Sequence, residues 1–132
     1  MVDLQRFHAA QEGVYPRALG EIRAGDKRSH WMWFVFPQIA GLGSSPTARL
    51  YAITGRDEAR AYLDDPVLGA RLRECAGAVL AHDHQMFDFP DDLKLRSSMT
   101  LFAQVADDPA AFEEVLAKFY GGTDRRTLDL LR

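Results

Sequence analysis

The residues best suited to chemistry lie in two short segments, of which the first is "KRSHWMWFVFPQ", from Lys27 to Gln38. Two cations, a serine and a histidine stand there directly before an aromatic run. Lys27 and Arg28 can supply charge and forked donors to an anion, and Trp33 can stack on a planar ring. His30 is the candidate acid–base residue, because histidine titrates near neutral pH. Together these groups are typical of a site for a phosphate-bearing, nucleotide-like ligand.

The local pattern predicts that this segment forms a helix whose N-terminus is free. Ser29 is a suitable N-cap for a helix from His30 to about Phe36, which Pro37 would end. The unpaired N–H groups and the dipole of such an end favour an anion. The alternative is a buried aromatic helix with a solvated basic lead-in, since aromatic stripes are more often core than binding surface.

The second segment is "DDLKLRSSMTLF", from Asp91 to Phe102. Helical spacing predicts one buried face, formed by Leu95, Met99, Phe102 and Ala106. The same spacing makes Arg96, Ser97 and Thr100 project away from the centre of that face. Ser98 instead falls inside the apolar arc, where a buried hydroxyl needs a partner.

Lys94 lies one helical turn before Ser98 and on the same edge. In a functional arrangement, Lys94 would lower the pKa of the Ser98 hydroxyl or hold an anion beside it. In a structural arrangement, Ser98 would donate a hydrogen bond back to the carbonyl of Lys94, as serines in helices commonly do. The sequence leaves both arrangements open.

We therefore predict that the two segments face one cleft that binds a small anionic molecule, with hydrolysis or group transfer as the reaction if there is turnover. No metal or other cofactor is predicted. The alternative function is a protein-interaction module that uses Trp31–Phe36, and a third interpretation makes both segments structural. The catalytic candidates are His30 and Ser98, and the ligand-binding candidates are Lys27, Arg28, Ser29, Trp33, Gln38, Lys94, Arg96, Ser97 and Thr100.

Composition limits the classes of protein that the chain can belong to. Its 132 residues suit one domain, residues 1–132. A net charge of −3 argues against a surface for extended nucleic acid, so anion recognition would be local. The single cysteine fits a reducing compartment, and the longest apolar run is too short to cross a membrane. The start "MVDLQRFHAA" lacks the apolar stretch of a signal peptide, so we expect a cytoplasmic protein.

The elements that must position these residues are predicted to be helices. The clear hydrophobic periods are near 3.6 residues, and no hairpin signal joins alternating runs. We predict an all-α fold: a compact domain of six to eight short helices without coiled-coil packing. Helix starts are indicated at Asp3, Pro16, Ser29, Asp57, Pro66, Asp91 or Asp92, Asp108–Pro109, and Thr123 or Asp124.

Several stretches together resemble a known family. They are "DLQRF", "RSHWMWFVFPQIAGLG", "PVLGARLREC", "DDLKLRSSMTLF" and "GGTDRRTLDLL". The sequence is similar to the bacterial family designated domain of unknown function 1810 over nearly its whole length. Some members are labelled calpastatin, but calpain-inhibiting segments are disordered repeats of low hydrophobicity, which this chain does not resemble.

The resemblance implies a compact, mostly helical domain and no established activity. One local departure is Asp88, where family members often have glycine. The family pattern matches both chemical segments and a third at the C-terminus, at Lys27, Ser29, His30, Trp33, Phe36, Pro37, Gln38, Lys94, Ser97, Ser98, Met99, Thr100, Gly121, Asp124 and Thr127.

Overall fold

A computed structural model describes residues 2–132, and over that range it contains nine α-helices and no strand. The all-α prediction is confirmed, with one helix more than the expected maximum of eight. The additional helix is α4, of 5 residues, which corresponds to none of the predicted helix starts; α3, of 4 residues, follows the start predicted at Ser29. The helices are α1 Gln5–Gln11, α2 Tyr15–Ala24, α3 Met32–Val35, α4 Pro46–Leu50, α5 Arg56–Asp64, α6 Leu68–Leu80, α7 Asp91–Val105, α8 Ala110–Phe119 and α9 Arg125–Leu130.

The helix ends follow the residue types that the sequence supplies. Helix α2 has Pro16 in its first turn and ends at Gly25, whose φ of 70° is the left-handed conformation that glycine adopts without strain. Helix α9 is capped by Asp124, whose carboxylate accepts a hydrogen bond from the backbone N–H of Thr127 at 3.1 Å. These ends confirm the predicted signals at both places.

Helix α7 lies at the centre of the packing. It contacts α3, α5, α8 and α9, so more than one of its faces is covered. Ser97 and Thr100 are therefore buried together with Ser98. The expectation that Ser97 and Thr100 project away from the core is wrong, because it assumed a helix buried on one side only.

The aromatic run also differs from its predicted form. Helix α3 starts only at Met32, with Trp31 at the N-cap position and no side-chain cap. Ser29 therefore does not cap it, and the predicted helix from His30 to Phe36 is shorter at both ends. The run is mostly core: Trp31, Met32, Val35 and Phe36 are buried, while Trp33 and Phe34 are partly exposed.

A short connection brings the end of the aromatic run beside a later part of the chain. The N–H of Ile53 donates to the carbonyl of Gln38, and the N–H of Ala40 donates to the carbonyl of Ile53, both at 2.8 Å. This isolated parallel bridge holds the backbone at Gln38 in place. Within residues 2–132, no helix is long and apolar enough to span a membrane.

Candidate functional site

The donors of the basic lead-in converge on one internal carboxylate. Glu21, on α2, accepts hydrogen bonds from the backbone N–H of Arg28 at 2.8 Å and of Ser29 at 3.0 Å. It also accepts from the Ser29 hydroxyl at 2.7 Å and from the Trp31 indole at 2.9 Å. The groups predicted to bind an external anion are thus already bound to an anion of the protein itself.

The pKa of Glu21 reflects this arrangement. Burial raises the pKa, but the hydrogen bonds from Trp31, Ser29 and the backbone outweigh burial and lower it to about 2. Glu21 is therefore ionised in the folded protein at neutral pH. An external anion at the same donors would have to displace a carboxylate that holds four hydrogen bonds.

Two other side chains of the lead-in, those of Arg28 and His30, lie at the surface. The Arg28 guanidinium pairs with Asp26 at 2.7 Å, and its side chain is 77% exposed. His30 is exposed and makes no hydrogen bond or ion pair with any of residues 2–132. Nothing in this part of the chain orients the His30 imidazole as a general acid or base.

Two lysines from the predicted segments share one carboxylate. Asp91, in the first turn of α7, lies 3.1 Å from Lys27 Nζ and 3.5 Å from Lys94 Nζ. The Lys94 ammonium also lies 4.4 Å from the centroid of the Trp33 ring, which is cation–π distance. Two positive charges against one negative charge leave the cluster with a net charge of +1. Lys94 covers one face of Trp33, so only the other face remains for a planar ligand.

A hydrogen bond joins the aromatic run directly to α7. The Gln38 side chain donates from Nε2 to the Ser97 hydroxyl at 2.6 Å. Ser97 in turn donates to the carbonyl of Lys94 at 3.1 Å. The structure therefore brings together Trp33, Gln38, Lys94 and Ser97, although about sixty residues separate the two pairs.

Ser98 takes neither of the arrangements considered for it. It is fully buried, and its hydroxyl has no hydrogen-bond partner among the described residues. It neither pairs with Lys94 nor donates to the Lys94 carbonyl, because Ser97 makes that backbone bond instead. A substrate cannot reach the Ser98 hydroxyl in this structure.

Arg96 and Thr100 hold the turn before α9. Arg96 donates to the carbonyls of Gly122 at 3.3 Å and Thr123 at 2.9 Å. The Thr100 hydroxyl accepts a hydrogen bond from the backbone N–H of Asp124 at 2.9 Å. The hydrogen bonds of both side chains therefore position the turn before α9.

A cleft of about 220 Å³ opens where this turn faces the end of the aromatic run. Gln38 also borders a smaller cavity on the side of Trp33. Ser97, which lines the cleft, donates to the carbonyl of Lys94, so the cleft adjoins the Lys94 backbone. Asp124 was not selected as a site residue, although it belongs to the family pattern, and that pattern could have indicated it. Leu42, Leu93 and Arg126 have no such indication in the sequence. The cleft is lined by Gln38, Leu42, Leu93, Ser97, Asp124 and Arg126.

Two other reactive side chains, Cys75 and His82, contact the interior of the protein. Cys75 is fully buried, and burial is the main cause that raises its pKa to about 12. The His82 ring forms a hydrogen bond with the carbonyl of Ile22, which lies on α2. Among residues 2–132 there is no group of three histidines, cysteines or carboxylates placed to hold a metal ion.

Comparison with known proteins identifies relatives without an assigned activity. The family described as "Protein of unknown function (DUF1810)" matches residues 1–131. The crystal structure of the conserved hypothetical protein Rv1873 from Mycobacterium tuberculosis is 54% identical and superposes with a TM-score of 0.95. That match covers 98% of this chain and 96% of the mycobacterial chain. No curated protein matches.

Proposed function

We propose that this chain, which belongs to the DUF1810 family, binds a small phosphate-bearing, nucleotide-like molecule beside Trp33, Gln38, Lys94 and Ser97. One observation carries the proposal: two segments that are distant in sequence meet through the Lys94–Trp33 contact and the Gln38–Ser97 hydrogen bond. Each segment contributes one aromatic or cationic group and one hydrogen-bonding group to the junction.

Electrostatics favour an anion at this junction. The Lys27–Asp91–Lys94 cluster has a net charge of +1, and each lysine side chain is largely but not fully buried. A partly desolvated ammonium interacts more strongly with an anion than an exposed one does, because the local dielectric is lower. We propose that the phosphate binds at Lys94, with Asp91 keeping both ammonium groups in place when the site is empty.

The alternative of a protein-interaction module is less well supported. It would need the run Trp31–Phe36 to present its side chains to a partner. Trp31, Met32, Val35 and Phe36 are instead buried in the core. Within the run, only Trp33 and Phe34 are partly exposed, which leaves little apolar surface for a partner.

The proposal concerns binding and assigns no reaction. Ser98 is inaccessible, and His30 has no partner among the described residues that would set its orientation. A cytoplasmic location, expected from the single cysteine, belongs to the proposal as well.

A thermal-shift titration with ribose 5-phosphate and nucleoside monophosphates tests the proposal. A ligand present at 100 times its Kd should raise the free energy of unfolding by about 2.7 kcal/mol. We expect the shift to be lost in Lys94→Ala and kept in Lys118→Ala, because Lys118 lies on α8 and bonds to the carbonyl of Leu80. Circular dichroism of both variants checks that they fold.

The proposal fails if none of these compounds raises the melting temperature of the unsubstituted protein. It also fails if Lys94→Ala and Lys118→Ala respond equally to a compound that does bind.

A further inference from the structure

We infer that the cleft lined by Gln38, Leu42, Leu93, Ser97, Asp124 and Arg126 binds a guanine base, or a ring with the same hydrogen-bonding edge. This inference rests on the proposed function, since it names the part of the nucleotide-like ligand that lies beyond the phosphate. The cleft lies next to Lys94, because Ser97, which lines it, donates a hydrogen bond to the carbonyl of Lys94.

The size of the cleft suits one ring and not a whole nucleotide. Its volume of about 220 Å³ is below the roughly 300–1,000 Å³ of pockets that enclose complete small-molecule ligands. Leu42 and Leu93 supply apolar surface against which the faces of a flat ring can pack. A phosphate on the same ligand would then lie outside the cleft, toward Lys94.

The spare hydrogen-bonding groups of the cleft define the edge of the ring. Asp124 uses Oδ2 for the N–H and hydroxyl of Thr127, at 3.1 and 2.6 Å. Its Oδ1 accepts no hydrogen bond from residues 2–132. Gln38 donates through Nε2 to Ser97, and its Oε1 likewise accepts nothing from the described chain. The cleft therefore offers two unused acceptors.

Arg126 is the matching donor. Its only hydrogen bond to the described residues is a long one, from Nη2 to the carbonyl of Gly41 at 3.5 Å. Most of its N–H groups are therefore available. A ring edge that complements the cleft carries two N–H donors and one carbonyl acceptor. Guanine has this edge, whereas adenine has one amino donor and no carbonyl.

The acceptor at Asp124 is held rigidly. Its backbone N–H is bound by the Thr100 hydroxyl, and Arg96 binds the two preceding carbonyls. The carboxylate is further fixed by its capping bonds to Thr127. A preorganised acceptor loses little entropy on binding, which favours specific recognition.

Isothermal titration calorimetry with guanosine, adenosine and ribose 5-phosphate tests this inference. Guanosine lacks a phosphate, so its binding should depend on the cleft and not on Lys94. We expect guanosine to bind more tightly than adenosine. Asp124→Asn and Arg126→Ala should each weaken guanosine binding by roughly ten- to a hundredfold, the effect of losing one hydrogen bond to a charged group.

The variants are chosen to separate recognition from folding. In Asp124→Asn, the amide oxygen still accepts the capping bond of α9 while the spare oxygen becomes a donor. Arg126 is exposed, so Arg126→Ala tests the cleft without disturbing the core. Arg125→Ala is the matched control, because the neighbouring Arg125 pairs with Asp129 on α9 and does not line the cleft.

The outcomes distinguish the two proposals. If ribose 5-phosphate binds through Lys94 but guanosine does not bind, the inference is overturned and the proposed function stands. If guanosine binds through Asp124 and Arg126 but phosphate compounds show no dependence on Lys94, the inference stands and the proposed anion site fails. Equal binding of guanosine to Arg126→Ala and Arg125→Ala also overturns the inference.

Discussion

The segment around Glu21 and the cleft at Gln38 contain similar polar groups, but those groups differ in what they contact. Around Glu21, the N–H groups of Arg28 and Ser29 and the Ser29 hydroxyl all donate to one buried carboxylate. In the cleft, Asp124 and Gln38 each keep one oxygen without a partner among the described residues. The first region is internally satisfied, whereas the second keeps two acceptor oxygens without a partner among the described residues.

The comparison shows that residue type alone does not distinguish a binding group from a structural one. Ser29 and Ser97 are both half-buried or buried serines that bond to another side chain. Ser29 completes the coordination of Glu21, whereas Ser97 links α7 to the residue that borders the cleft. What separates them is the neighbour: Ser29 bonds to the carboxylate of Glu21, whereas Ser97 bonds to Gln38, at the border of the cleft.

The largest expected effect comes from removing the internal carboxylate. Glu21→Ala would leave the Trp31 indole N–H and the N–H groups of Arg28 and Ser29 without their acceptor. Unsatisfied buried donors cost about 1–3 kcal/mol, so we expect the free energy of unfolding to fall by that amount. Urea denaturation measures it, with exposed Glu114→Ala as the control. A loss no greater than that of the control would show that Glu21 is not the anchor of this segment.

The second expected effect is a dependence of stability on acid pH. The folded pKa of Glu21, about 2, lies below the ordinary value of about 4.3. Its stabilising contribution is therefore complete above the ordinary value and is lost as the pH falls toward 2. Glu21→Gln should make the free energy of unfolding decrease less steeply over this acid range. Parallel slopes for the two proteins, measured by urea denaturation at successive pH values, would contradict the assignment.

The smallest expected effects have opposite signs at two adjacent serines. Ser97→Ala removes the acceptor of the Gln38 amide and should lower the free energy of unfolding by about 1 kcal/mol. Ser98→Ala removes a buried hydroxyl that has no described partner and should raise it by about 1 kcal/mol. Thermal unfolding of the two variants provides the measurement. Destabilisation of both to a similar degree would indicate that the Ser98 hydroxyl is satisfied in solution.

Local sequence signals were enough to predict the fold class and several helix ends. Periods near 3.6 residues, Pro16 in a first turn, Gly25 after a last turn and Asp124 as a cap act over a few residues, so they can be interpreted locally. The same local information selected Trp33, Gln38, Lys94 and Ser97, which the structure brings together.

Which polar groups remain available depends on contacts that form only in the folded chain. The sequence could not show that Glu21 satisfies Ser29, that Arg96 and Thr100 bind the turn at 122–124, or that Arg126 faces Gln38 across a cleft. Each of these contacts depends on how helices and loops pack together in the folded chain. Whether a polar group has a hydrogen-bond partner depends on its neighbours in three dimensions, because a donor bonds to the acceptor that packing places beside it.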